Sequence, residues 1–327
     1  MLDESVAETQ INHAPKLIRG LHNIRDIHHG SVVTLGSFDG VHLGHQRVIK
    51  QLKDKAAEYS VPSVAVIFEP QPMEFLSPQA APARIMRFRE KVRALLDAGI
   101  DRVCCLEFNN KLSSLSAQEF CEKILVHGLG ARFVVIGDDF RFGQDRQGDF
   151  EFLQAQGTKW GFGVADTNTL EQNGERISST RIRHLLAEAD FDGARHLLGK
   201  PFTMSGRVGY GNQLGRKLGL PTANLAIRRY KTPVRGVFAA HVTLPSGEVL
   251  PAVANVGVRP TVDGIAKPIL EAHVLNFAGD LYGQMLTVEF CKKLRDESKF
   301  ESITALQQQI LKDIEQAKDY FKENSLF

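Results

Sequence analysis

Apolar positions follow two rhythms along this chain. From residue 31 to about residue 190, short continuous apolar runs alternate with stretches of helical spacing. Val32-Val33-Thr34-Leu35, Val64-Ala65-Val66-Ile67-Phe68 and Phe133-Val134-Val135-Ile136 have no polar face, the pattern of strands buried on both sides of a parallel sheet. A further short strand is expected near Arg102–Leu106. In residues 84–98, Ile85, Phe88, Val92, Leu95 and Leu96 form a helical stripe, and Gly99 offers a C-cap. Ser116 and Glu119 make a capping-box pattern for a helix burying Phe120, Ile124 and Leu125. The prolines of Glu69-Pro70-Gln71-Pro72 stop pairing, so the chain is expected to leave its strand extended. This alternation predicts an α/β domain, a parallel sheet with helices on both faces.

The second rhythm begins after a short helix and a boundary at Gly199-Lys200-Pro201. Runs at 202–208, 223–227, 236–244, 249–256, 268–276 and 285–291 read as short strands separated by glycine and proline. Such spacing suggests a small closed antiparallel barrel. Helical spacing returns at Ile303, Leu306, Ile310, Ile314 and Phe321, a helix expected to lay its apolar face on the barrel.

Composition narrows the class. The chain has 327 residues, room for two domains, with 43% hydrophobic and 24% charged residues. A net charge of +2 gives no general argument for nucleic acid. No apolar stretch approaches the ~20 residues that span a membrane, and Met1–Pro15 lacks a signal-peptide core and reads as a loose leader. Cys104, Cys105, Cys121 and Cys291 form no CxxC pair and read as reduced, mostly buried thiols of a cytoplasmic protein.

Chemistry concentrates where strands end. Gly36-Ser37-Phe38-Asp39-Gly40-Val41-His42-Leu43-Gly44-His45 joins the first buried strand to a helix, the place where phosphates dock on free N–H groups. Gly36 and Gly40 allow a sharp turn. His42 and His45 are three apart, one face of a helix, and can donate to growing phosphate charge; surface or metal-ligating histidines are the alternatives. Gly137-Asp138-Asp139-Phe140-Arg141-Phe142-Gly143 again clusters polar groups at a strand end, as an ordinary turn or as a loop stacking Phe140 and Phe142 on a ring. Ser178, Ser179 and Thr180, then Arg181 and Arg183, precede an apolar stripe: helix caps, or an anion site.

The second domain has its own loop, from Gly206 through Gly209, Gly211, Gly215, Arg216 and Gly219 to Pro221, glycine-rich enough for a mobile flap over polyphosphate, though not a P-loop. Thr222 and Asn224, two apart, face one side of an extended strand and offer neutral oxygens to Mg²⁺, or simply a polar strand start. Glu271 lies in an otherwise apolar strand, as a base or as a cross-strand salt-bridge partner.

The first decad resembles the HxGH signature of nucleotidylyltransferases. Its Gly-x-Phe-Asp-Gly-Val-His-x-Gly-His form, with Gly137–Gly143 and Ile177–Arg183, resembles the bacterial bifunctional riboflavin kinase/FMN adenylyltransferases, or FAD synthetases. Pro221-Thr222-Ala223-Asn224, Gly236–Ala239, Ala254–Thr261 and Leu270–Phe277 extend the likeness over nearly all of 201–327. The resemblance implies a Rossmann-like nucleotidyltransferase domain at 16–187, a linker helix at 188–200, and a six-stranded riboflavin kinase barrel with a C-terminal helix at 201–327. It implies riboflavin, FMN and ATP as ligands, with Mg²⁺. His42, His45, Ser179 and Arg181 would serve adenylyl transfer and Glu271 would be the kinase base. Gly36, Phe38, Asp39, Gly40, Asp139, Phe140, Phe142, Ser178 and Thr180 would bind ligand in the first domain, and the flap residues in the second. Thr222 and Asn224 would hold the metal. Asn276, where the family has Asp, and Leu220, which replaces a frequent aromatic, depart from the pattern. Rival readings are an adenylyltransferase of another phosphorylated acceptor, a non-catalytic flavin sensor, and a synthetase-like nucleic-acid binder. The appended barrel, the full residue set and the low charge respectively argue against them. Nothing in the sequence fixes an oligomeric state.

Overall fold

A computed structural model describes residues 16–172, 174–210, 219–259 and 267–324, the last and first of the flanking pair 259 and 267 by backbone alone. By internal contacts the chain divides into Met1–Pro82 with Phe88–Ser178, and Ala83–Arg87 with Ser179–Phe327.

The first unit is a six-stranded parallel sheet of β1 (Leu17–Arg19), β2 (Ser31–Leu35), β3 (Ser63–Glu69), β4 (Arg102–Glu107), β5 (Ala131–Gly137) and β6 (Gly163–Thr167). Their spatial order is β1-β4-β3-β2-β5-β6, every pairing parallel. The central stretches of these strands are apolar because helices cover both faces; Val32, Val33, Val64, Val66, Val134 and Val135 have no exposed surface. From β2 the chain steps outward through β3 and β4, then returns to place β5 on the other side of β2. The C-terminal ends of β2 and β5 therefore flank the topological switch point, the ligand crevice of such sheets. A two-stranded ribbon, β7 (Glu171–Gln172) and β8 (Glu175–Arg176), precedes the unit's end.

Two local expectations change. The stripe from residue 84 starts helically only at Phe88, in the helix Phe88–Asp97. Ala83–Arg87 is irregular and belongs to the second unit, where Arg183 Nε donates to Ala83 O at 2.7 Å and Arg229 Nη1 to Ile85 O at 3.0 Å. Beyond β3 the extended exit is short, with Gln71 in extended backbone just before a helix. The Glu69–Pro70 bond is cis, and Pro72 opens the short helix Pro72–Leu76, where its missing N–H costs nothing.

The second unit is a closed antiparallel barrel of β9 (Thr203–Gly209), β10 (Ala223–Ala226), β11 (Gly236–Thr243), β12 (Val249–Arg259), β13 (Lys267–Val274) and β14 (Met285–Arg295), in the order β10-β13-β12-β11-β14-β9. Period-two alternation sends Phe238, Ala240, Ala252, Ala254, Val256, Leu270 and Ala272 inward. Small alanines leave room for Phe238, which meets Phe290 edge-on at 5.2 Å. Residues 188–200, expected as a linker, are part of this core. The helix Phe191–Leu198 sets Phe191 against Phe238 and Phe290, at 5.7 and 6.0 Å. The helix Ser179–Ala187 packs on it, which is why the contact division falls after Ser178 and not after 187.

The C-terminal helix Ile303–Glu323 buries Ile314, Ala317 and Phe321 on Val237, Ala239 and Val253 of the barrel's outer face. Ile303, expected in that stripe, is exposed, since the helix meets the barrel only from its middle onward. Arg295 clamps this helix: Nε and Nη2 donate to the two Asp313 oxygens, each at 2.8 Å, and Asp313 is only 2% exposed. Arg295→Ala would leave a buried carboxylate without its cation, so a loss of about 3 kcal/mol is expected. Urea unfolding followed by circular dichroism measures it, and a loss below about 1 kcal/mol, the scale of a surface pair, would show the clamp to be incidental.

Burial pushes the Cys104 and Cys121 thiols up to about 12, so both stay protonated in the first core, as expected of structural cysteines.

Candidate active sites

At the end of β2 the backbone is forced into an unusual path. Phe38, Gly40 and Val41 have φ of +47, +95 and +45°. A β-branched residue such as Val41 rarely adopts that region, and such strain persists where surrounding packing imposes it. Here Phe38 and Val41 are each 2% exposed and Asp39 is fully buried, so the turn is pinned from inside. Phe38, expected to touch ligand, is a packing residue whose ring lies 5.1 Å from that of His45.

The histidines do not share a helix face as the spacing suggests. His42 is the N-cap of the helix Leu43–Glu58, and its extended backbone carries the ring back over the first turn. The His45 N–H donates to His42 Nδ1 at 3.3 Å, and the two imidazoles stack at 3.6 Å with 18° between planes. With Nδ1 accepting, the His42 proton rests on Nε2. Gly44 permits this arrangement. A Cβ there would lie 3.2 Å from the His42 ring and 3.4 Å from the Ile177 carbonyl oxygen.

Burial first, then His42, then Lys91, hold His45 well below the ordinary value of 6.5. Its Nδ1 is sealed from solvent with no hydrogen-bond partner among the described residues. His45 is therefore neutral at physiological pH. Lys91, 1% exposed in the helix Phe88–Asp97, is a cation at this site that the motif reading missed. The signal was present: Lys91 shares the buried face with Phe88, Val92 and Leu95. The low His45 value fixes the sign of a stability effect. The unfolded chain takes up this proton near 6.5, whereas the folded chain resists it. The contribution is complete above 6.5 and is lost as pH falls from there through the folded value. Melting temperatures at pH 7.5 and 5.5 are expected to differ less in His45→Asn than in the parent, and an unchanged gap would show His45 to be easily protonated.

The loop after β5 is reassigned in part. Phe142 is 6% exposed and sits in the core with Phe120 at 5.3 Å, so it is not available to stack on a ligand. Phe140 stacks on Phe142 at 5.8 Å and packs half-buried on the same cluster. Asp139 pairs with Arg176 at 2.8 Å. Ser178 closes the first unit, while Ser179, Thr180 and Arg181 open the helix that starts the second.

On the barrel, three polar side chains line up across adjacent strands. Asn224 of β10 pairs with Glu271 of β13, and Glu271 pairs with Asn255 of β12. Directly paired residues project to one face. Their strand neighbours Ala223, Leu225, Leu270, Ala272, Ala254 and Val256 are buried, so Asn224, Glu271 and Asn255 stand half-buried on the outer wall. Thr222, immediately before β10, is likewise half-buried. Asn255 is a site residue the sequence reading did not single out, and its Oδ1 is sealed with no partner among the described residues.

Of the flap residues, Gly211, Gly215 and Arg216 lie outside the described residues. Gly206 is not a flap residue. It sits within β9, where a Cβ would come 2.8 Å from Leu225 Cβ, so it serves strand packing. Gly219 has φ +75° in open space, and the Pro221 carbonyl oxygen lies 2.8 Å from His273 Nδ1. The structure places both departures from the family pattern. Asn276 adopts φ +55°, which Asn tolerates, and Leu220 packs beside the C-terminal helix.

Together these features define a two-domain protein: an HxGH nucleotidyltransferase sheet followed by a six-stranded kinase-type barrel. The family model described as FAD synthetase matches residues 24–181, and that described as riboflavin kinase matches residues 198–321. A curated Pseudomonas fluorescens protein named bifunctional riboflavin kinase/FMN adenylyltransferase is 52% identical over 303 residues, 93% of this chain and 97% of that protein. Its Escherichia coli K12 namesake is 45% identical over 307 residues, 94% and 98% of the two chains. The chain belongs to the bifunctional riboflavin kinase/FMN adenylyltransferase family. A solved Streptococcus pneumoniae structure titled a macrolide-efflux protein is 31% identical, with a TM-score of 0.77 over 93% of this chain and 99% of that one. Among the described residues here, no helix is long and apolar enough to cross a membrane.

Proposed function

We propose that the chain makes FAD from riboflavin in two ATP-dependent steps, one on each unit, in the cytoplasm. The barrel phosphorylates riboflavin to FMN. As the riboflavin hydroxyl attacks the γ-phosphate, Glu271 accepts its proton. Asn224 and Asn255 flank Glu271 on the neighbouring strands. Thr222 and Asn224 fit a magnesium site, because they place neutral oxygens beside a carboxylate, and the sealed Asn255 Oδ1 adds a third acceptor nearby. Bound there with ATP, Mg²⁺ would neutralise phosphate charge.

The α/β unit transfers AMP from ATP to FMN and releases pyrophosphate. The FMN phosphate attacks the α-phosphate in line, so the protein supplies position and charge and no covalent enzyme intermediate. Gly36 and Gly40 let the turn approach the phosphates, and the helix beginning at Leu43 presents its N–H groups. His42 donates through Nε2–H and neutral His45 through its own N–H, while the Lys91 charge favours the anion. Ser178, Ser179, Thr180 and Arg181 keep the triphosphate role their sequence suggests.

The Asn224–Glu271–Asn255 row carries this reading. An adenylyltransferase of another acceptor has no use for it, and a sensor needs no base. The protein incubated with riboflavin, ATP and Mg²⁺, and its flavins separated, is expected to yield FMN and then FAD. FMN alone would remove the first unit's assignment, and no product would support the sensor.

A further inference from the structure

The outer wall of the barrel carries a second cluster, apart from the Glu271 row. His241 of β11 lies directly opposite Glu289 of β14. The register between these strands then slips: Ala240 pairs with Phe290 but Ala239 pairs with Lys292. Cys291 is the extra residue, a bulge that re-aims a side chain. It brings Cys291 Sγ to 3.5 Å from His241 Nδ1. One nitrogen, one carboxylate oxygen and one sulfur, all half-buried, lie within 4.8 Å of one another. The His241 ring is held against Phe321 of the C-terminal helix, 4.8 Å between centroids.

We propose that His241, Glu289 and Cys291 bind a borderline divalent transition metal, of which Zn²⁺ fits best. Tetrahedral Zn²⁺ takes bonds of about 2.0–2.3 Å, which puts neighbouring ligand atoms roughly 3.3–3.8 Å apart. The nitrogen–sulfur separation already matches, and the carboxylate needs only a side-chain adjustment. A mixed N, O, S set suits Zn²⁺ and disfavours Mg²⁺, which takes oxygen. The site is thus not the one serving ATP. Nor is it in the same place, since His241 lies four residues along β11 from Val237, the partner of Asn255, about 13 Å at the strand rise. Three protein ligands leave a fourth position for water. Binding would displace the Cys291 thiol proton to solvent and change no oxidation state. The metal would tie β11 to β14 at their bulge, under the end of the C-terminal helix, and so stabilise the folded barrel.

Cobalt reports such a site directly. Metal-stripped full-length protein titrated with Co²⁺ is expected to saturate at one equivalent, with a near-ultraviolet thiolate charge-transfer band and visible bands of tetrahedral Co²⁺. Zn²⁺ should displace it, and a large excess of Mg²⁺ should not. Cys291→Ser should abolish the thiolate band and His241→Ala should weaken binding at least tenfold, in proteins whose circular dichroism matches the parent. Zn²⁺ should raise the melting temperature of the parent but not of the double variant. No thiolate band in the parent, or a band that survives Cys291→Ser, would overturn the proposal.

Discussion

Glu271→Gln is expected to lower the riboflavin kinase kcat by roughly 10²–10⁴-fold while riboflavin still binds. Glutamine keeps the shape of the side chain and removes its basicity. The attacking hydroxyl must lose a proton during transfer, and in the Asn224–Glu271–Asn255 row Glu271 is the one ionisable member. A structural Glu271 would behave differently, costing stability and leaving the turnover of the folded protein intact. Kinase turnover beside a melting curve separates the cases, and near-normal turnover would eliminate the base. FAD formation from supplied FMN should be unchanged, because that chemistry uses the β2 turn.

His45→Ala is expected to do the reverse. FAD formation from FMN should fall by ~10²-fold or more, the scale for removing a donor to transition-state charge. FMN formation from riboflavin should persist. The effect is expected to be large because the His45 ring also supports its partner, stacking on the His42 ring at 3.6 Å. Equal loss of both activities in a folded variant would refute the division of labour.

Much of this was legible in the sequence, for identifiable reasons. Short continuous apolar runs rich in β-branched residues, such as Val64–Phe68, fit strands covered on both sides, so the parallel sheet followed from them. The barrel strands were found within a few residues because inward and outward positions alternate. What escaped depends on tertiary placement. Phe142 reads as a stacking aromatic until its neighbours Phe120 and Phe152 turn it into core. Residues 188–200 read as a linker because nothing local reveals that Phe191 meets Phe238 and Phe290. The His42–His45 spacing suggested a shared helix face, but capping geometry produced a stack instead. Lys91 and Asn255 went unnoticed because one polar residue in an apolar stripe says little until burial is known.

The claim that one chain holds two complete sites, with FMN made at one and used at the other, has a direct test. Neither Glu271→Gln nor His45→Ala alone should convert riboflavin to FAD at an appreciable rate. Mixed in equal amounts with riboflavin, ATP and Mg²⁺, they should restore FAD after a lag during which FMN accumulates. A mixture that makes no more FAD than the two variants do separately would contradict the account.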